Sequence, residues 1–347
     1  MSDRLVPPAL RFLVPTALAA LVLTSCGEGA GGDDRGTEED PYSIGIAQPV
    51  EHPSLDAARE GFRQAFEEAE VDVEWTERNA QGDAATETTV AGQLAEGGHD
   101  LVATIATSQS QQIVTATQGE DLPVVFLAVT EPEEAGLVDS WEEPGENVTG
   151  LSDLNPVEEQ LGLITEADPD VESIGVLYAS GEVNSEVQVE MAREAAEELD
   201  VEIETSTITN SAEVQQGVES LSGVDAIWIP TDNVVVSGLE SVISFGRDQQ
   251  IPVFSADGDS VARGTIGSYA VDYEALGRQA GEMALRILQD DEDPGQTPVE
   301  TLDDIQLYLN PDAAEQMGLE VPQELMDSAD VVVGEDVEPE DPEEADD

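Results

Sequence analysis

The sequence predicts an α/β protein of two similar lobes, each a doubly wound parallel sheet covered by helices, joined by a three-segment hinge. Three observations lead there. Short apolar runs alternate with amphipathic stretches along the chain, which is the pattern of βαβ units around parallel sheets. The alternation runs twice, with matching elements roughly 125 to 131 residues apart. Once the two ends are set aside, about 290 residues remain, more than one compact core accommodates.

The first run gives strand Tyr42–Ala47, helix Ser54–Ala69, strand Val71–Trp75, helix Ala84–Glu96, strand Leu101–Ile105, helix Ser108–Thr117 and strand Val124–Ala128. Its first helix shows the logic: Leu55, Ala58, Phe62, Ala65, Phe66 and Ala69 share one face, while Asp56, Glu60, Glu67 and Glu68 point away. The second run gives strand Ser173–Tyr178, helix Ser185–Leu199, strand Val201–Thr205, helix Ser211–Leu221, strand Ala226–Ile229, helix Val234–Arg247 and strand Pro252–Ser255. Three segments serve as crossings: Asn147–Leu154, Ile266–Tyr269, and strand Ile305–Leu309. Helix Tyr273–Leu288 then returns to the first lobe, and a short helix after Asn310-Pro311 ends in the second. The lobes are therefore 42–150 plus 270–304, and 151–269 plus 305–330.

The ends have other work. Residues 1–25 read as a signal peptide: Arg4 and Arg11 precede an apolar run from Phe12 to Leu23, about half the ~20 residues of a membrane span. Leu23-Thr24-Ser25-Cys26 resembles the lipobox of bacterial lipoproteins, which implies cleavage before Cys26 and a diacylglyceryl anchor there. Cys26 is the only cysteine, so no intramolecular disulfide forms. Residues 26–41, Gly-rich and acidic, read as a tether, and 331–347 as an acidic disordered tail. The expected location is extracytoplasmic, on the cell membrane through that anchor.

The charge narrows the partners. The chain carries 78 acids against 11 basic residues, for a net charge of −67; every basic residue is Arg. So dense an acidic coat suits concentrated salt, where self-repulsion is screened, and predicts a halophilic or halotolerant source. It excludes nucleic acid, which requires a basic footprint, and direct binding to anionic lipid surfaces.

Ligands of open parallel sheets bind beyond the C-terminal ends of the strands, where helix N-termini attract carboxylates. Six loops lie at such ends, and facing lobes turn them toward one cleft. They supply the candidate ligand-binding residues Gln48 and His52, Thr107 and Ser108, Thr130, Asn184 and Ser185, Asp232 and Asn233, and Asp257. Hydroxyls and backbone N–H groups suit a carboxylate, and an Asp suits an ammonium, so the mix fits a zwitterion. Thr107, Ser108 and Thr130 are assigned to the carboxylate, and Asn184, Asp232, Asn233 and Asp257 to the ammonium and polar contacts. The competing reading is capping: Ser108-x-x-Gln111 and Ser185-x-x-Gln188 have the form of capping boxes, and Asp232 that of an N-cap. Catalytic constellations are missing. His52 and His99 are the only histidines, and there is no metal-ligand spacing, G-x-S-x-G elbow or phosphate loop. The expectation is no enzyme, no metal and no cofactor.

These loops also carry a resemblance. Glu51-His52-Pro53-Ser54-Leu55-Asp56-Ala57-Ala58-Arg59-Glu60-Gly61-Phe62, Asn79-Ala80-Gln81-Gly82-Asp83, Ala135-Gly136-Leu137-Val138 and Asn147-Val148-Thr149-Gly150-Leu151-Ser152-Asp153 carry it in the first half. Gly175-Val176-Leu177-Tyr178, Gly181-Glu182 with Asn184-Ser185, Pro230-Thr231-Asp232-Asn233, Asp259-Ser260-Val261 with Arg263-Gly264, and Asp272-Tyr273 followed by Leu276-Gly277-Arg278-Gln279 carry it in the second. In this order and spacing they resemble the tryptophan/tyrosine-type ABC substrate-binding family, of the type I periplasmic-binding fold. The resemblance implies a monomeric Venus-flytrap binder that closes on a small ligand, an amino acid and by family an aromatic one, and docks on ABC permease subunits. The alternative is a ligand-sensing flytrap ectodomain working with a membrane receptor.

Overall fold

The computed structural model describes residues 35–334. Cys26, the signal peptide and the tail beyond Gly334 lie outside the described residues.

The first lobe runs β1 (Tyr42–Gln48), α1 (Pro53–Glu68), β2 (Val73–Asn79), α2 (Ala84–Ala95), β3 (Leu101–Ile105), α3 (Thr107–Thr117), β4 (Val124–Leu127) and β5 (Val148–Gly150). Its sheet has the order β2-β1-β3-β4-β5, parallel throughout. The second lobe runs α4 (Val157–Ala167), β6 (Ser173–Ala179), α5 (Val183–Leu199), β7 (Glu202–Ile208), α6 (Val214–Glu219), β8 (Ala226–Ile229), α7 (Asn233–Val236), α8 (Leu239–Gln249), β9 (Val253–Ser255) and α9 (Gly258–Arg263). Its parallel sheet has the order β7-β6-β8-β9. In both sheets the chain winds one way and then the other about the first strand, which opens a crevice at the C-terminal ends of β1 and β3, and of β6 and β8. Helices cover both faces, and β3, β4 and β8 are buried along their whole length.

Three segments join the lobes. Residues 151–156 lead from β5 into α4. β10 (Gly267–Ala270) leads into α10 (Tyr273–Gln289), which packs back on the first lobe. Residues 300–305 then lead to β11 (Gln306–Leu309), which pairs antiparallel with β10. α11 (Pro311–Gln316), its C-cap Met317 and α12 (Gln323–Ser328) add Ala313, Ala314, Met317 and Leu325 to the second core. The crossings are tied side by side. Val271 N donates to Asn155 Oδ1 at 3.0 Å, and Glu300 N donates to Gly150 O while Ser152 N donates to Glu300 O.

Four expectations need correction. The helix expected over Val234–Arg247 is two, α7 and α8, parted at Gly238, where a Cβ would lie 2.9 Å from Val214. Residues 148–150, expected as part of a crossing, first form β5. Of the expected tether, residues 35–41 are folded: Gly36 N donates to Asp40 O, Asp72 N to Gly36 O, and Arg35 pairs with Asp100 at 2.6 Å. Of the expected tail, Val331–Val332 is a strand, β12, parallel to β11.

Candidate ligand-binding cleft

The lobes meet over the C-terminal ends of their strands, and hydrogen bonds cross between them. His52 Nε2 lies 3.1 Å from Asn233 Oδ1, and Ser54 Oγ donates to Asp257 Oδ1 at 3.3 Å. Behind these contacts is a cavity walled by His52, Ser54, Leu55, Ala106, Thr107, Ala128 and Thr130 of the first lobe. Asn184, Thr231, Asp232, Asn233, Val236 and Asp257 of the second lobe, with Asp153 and Tyr273 beside the crossings, complete the wall. The cavity has a volume of only about 20 Å³, room for about one water molecule. The lobes are thus shut on one another, and entry of a solute requires them to part.

Two backbone features aim the first lobe at this space. Ala106, between β3 and α3, has φ +66° and ψ 158°, a region that is nearly glycine's own. Ala128, after β4, has φ +54°. Both line the cavity. α3 carries no side-chain cap, so its first N–H groups are left for another acceptor.

Seven of the ten candidate residues come together here: His52, Thr107, Thr130, Asn184, Asp232, Asn233 and Asp257. The other three stand behind the wall. Gln48 turns into its own lobe, where Nε2 donates to Val50 O and Asp56 Oδ1 at 3.1 Å and Oε1 accepts from Arg59 at 3.0 Å. Ser108 turns to the Glu87 carboxyl on α2. Ser185 donates to Asp232 Oδ2 at 2.7 Å. Neither serine forms the expected capping box. α3 begins at Thr107 and α5 at Val183, so Ser108 and Ser185 fall inside the first turn.

Asp232 does cap its helix. Its Oδ1 accepts Val235 N at 2.8 Å, and its Oδ2 also accepts Ala179 N at 2.6 Å, which locks the end of β6 to α7. Asp257 likewise caps α9, with Oδ1 accepting Ser260 N and Oδ2 accepting Ser260 Oγ, both at 2.7 Å. Asn233 is fixed from below: its N and Nδ2 both donate to Glu182 Oε2, at 2.9 and 3.1 Å, and Asn184 Nδ2 donates to the same oxygen at 3.0 Å.

The strand-end criterion missed Asp153 and Tyr273. Asp153 lies on the first crossing and Tyr273 just after the second, neither at a strand end of the two main sheets, and the readable signal was that crossings must pass the floor of the cleft. Thr130 Oγ1 donates to Asp153 Oδ1 at 2.9 Å, and the Tyr273 hydroxyl donates to Oδ2 at 2.7 Å.

The electrostatics are one-sided. Burial pushes the Asp153 carboxyl up, against the pull of its two hydroxyl donors, and burial raises Asp232 too. Glu182 is pushed up to about 8 by burial and then by the charge of Asp232. Burial lowers His52, although its bond to Asn233 and the charge of Asp257 oppose this. Its Nδ1 is buried without a partner. No Arg is among the residues that line the cavity. Among the described residues no His, Cys, Asp and Glu cluster could hold a metal ion.

Residues 43–333 match the family model of the ABC transporter substrate binding protein. The chain is 35% identical to the tyrosine-binding protein of Clostridioides difficile (strain R20291), over 90% of this chain and 92% of that one. Among solved structures it resembles an ABC domain from Streptococcus pneumonia in complex with L-Trp (34% identity, TM-score 0.81, 85% of this chain and 100% of that one). It also resembles the ligand-free, open structure of a substrate-binding protein with adhesive properties from Clostridium difficile (37% identity, TM-score 0.65, 84% and 98%). The superposition is poorer on the open relative although the identity is slightly higher, which accords with the cross-lobe bonds that shut this cleft.

Proposed function

Because the chain belongs to the ABC transporter substrate-binding family, and is a binding protein rather than an enzyme, we propose that it captures an aromatic amino acid between its lobes and hands it to the permease of an importer. The observation that carries this reading is the shut interlobe cavity, lined by acids without an Arg and met by the uncapped start of α3. An ammonium suits the acids, and a carboxylate suits free N–H groups with Thr107 and Thr130 beside them. Leu55, Ala106, Ala128 and Val236 leave an apolar patch for a side chain. The named ligands of two relatives, tyrosine and L-Trp, support an aromatic one.

A ligand that touches both lobes favours the closed state by its differential affinity, and the permease reads closure. The three crossings, tied side by side, are the hinge. Cys26 would hold the protein outside the membrane on its lipid, with the acidic surface repelled from anionic headgroups.

A thermal-shift screen in high salt against the common amino acids tests the reading. The expected result is a saturable rise in Tm, largest for tyrosine or tryptophan, equivalent to about 2.7 kcal/mol at a ligand concentration a hundredfold above Kd. No rise with any amino acid, from protein shown to be folded, rules the amino-acid reading out.

A further inference from the structure

The three acids that line the cavity are not equivalent. A carboxylate offers about four lone-pair sites. Asp232 gives three of them to Val235 N, Ala179 N and Ser185 Oγ. Asp257 gives three to Ser260 N, Ser260 Oγ and Ser54 Oγ. Each also sits at a helix N-terminus, where backbone N–H groups balance its charge.

Asp153 has no helix beneath it. Apart from its own backbone N–H, its donors are two neutral hydroxyls, one on each oxygen. It is 1% exposed, and no guanidinium lines the cavity with it. A carboxylate withdrawn from water in this way lacks the counter-charge that buried ions require. Its place in the chain adds a second point. Asp153 lies on the first crossing, Tyr273 opens α10 just after the second, and Thr130 follows β4. One carboxylate therefore ties both crossings to the first lobe, at the point where opening and closing must bend the chain.

We propose that Asp153 is the residue that reads the charge of the ligand: its carboxylate takes a primary ammonium at the hinge floor, and that pairing is what makes the cleft select amines. This moves the ammonium from Asp232 and Asp257, which cap helices, to a residue on a crossing. It rests on the amino-acid reading only for the other end of the ligand, since the cavity gives this carboxyl no cation of its own.

The test is calorimetric titration of the whole protein and of Asp153→Asn. The panel holds the common L-amino acids, the des-amino acids of tyrosine and tryptophan, the matching arylethylamines, and neutral polyols. Asparagine keeps the shape and an oxygen for Thr130. The wild type is expected to bind an amino acid about 100-fold more tightly than its des-amino counterpart, at tenfold per 1.4 kcal/mol. Asp153→Asn is expected to lose that factor for the amino acid while binding the des-amino acid as the wild type does, with an undiminished Tm. Loss of the discrimination in Asp257→Asn but not in Asp153→Asn overturns the assignment.

The outcomes separate the two claims. An amino acid bound equally by wild type and Asp153→Asn overturns the assignment and leaves the amino-acid reading intact. Binding of an arylethylamine but no amino acid, lost in Asp153→Asn, upholds the assignment and overturns the reading. Tighter binding of a polyol or a des-amino acid than of any amine, or no binding by any amine in the panel, overturns both.

Discussion

Glu182 shows how one buried group reaches both lobes. It touches nothing across the cleft, yet through its bonds to Asn233 it sets the oxygen that meets His52. In the unfolded chain the carboxyl titrates near 4.5, and in the fold near about 8. Between these values the folded protein keeps a proton that the unfolded chain has released, so this contribution to stability is full below about 4.5 and lost as pH rises through about 8. His52, lowered in the fold, acts in the other sense: its contribution is present above its ordinary value of 6.5 and lost as pH falls. The difference between wild type and Glu182→Gln isolates the first effect, because glutamine does not titrate and still offers Asn233 an oxygen. Urea melts along a pH series are expected to show a shallower fall in stability between about 4.5 and 8 for Glu182→Gln, and a more stable variant at the alkaline end. An unchanged slope contradicts the raised carboxyl.

Among the elements, the pair α1 and α10 decides whether the second crossing delivers its helix to the first lobe. The two helices touch backbone to backbone: a Cβ on Gly277 would lie 1.9 Å from Ala58 O, and one on Gly61 would lie 2.0 Å from Glu274 O. Alanine normally gains about 1 kcal/mol over glycine within a helix. Here backbone must move, and overpacking costs about 1–3 kcal/mol, so Gly277→Ala is expected to be net destabilising in denaturant melts. A gain in stability means the helices can separate freely. Apolar periodicity made most elements legible, and Leu101–Ile105 and Ala226–Ile229 have the bounds expected of them. It failed over 234–247 because Val235, Val236, Leu239, Val242 and Ile243 stay buried through the break at Gly238. It misdirected Ser108 and Ser185 because helix starts one and two residues earlier turn a cap into a first-turn side chain. Asp153 and Tyr273 are 120 residues apart. Only the side-by-side packing of the crossings brings them together, and no local pattern encodes that.

At the scale of the whole molecule, the net charge of −67 acts on everything at once. The basic residues number 11, and several are already engaged in pairs such as Arg35 with Asp100, Arg263 with Glu240, and Arg286 with Glu300. Most surface acids therefore have no Arg to pair with, and folding brings these like charges closer than the unfolded chain does. Screening length falls from about 10 Å at 0.1 M to about 3 Å at 1 M salt. Tm is accordingly expected to climb steeply over that range in sodium chloride and then level off. A rise that continues in proportion to salt beyond it reflects exclusion of salt from apolar surface instead, and a flat profile contradicts the dominance of repulsion. Ligand affinity follows a different rule. A charge pair inside a shut cavity is screened far less than one on the surface, so an ammonium on Asp153 is expected to keep its share of the binding energy across the same series. If the preference for amine over des-amino ligand instead collapses as salt rises, the attraction comes from the acidic coat at large and not from one carboxylate at the hinge.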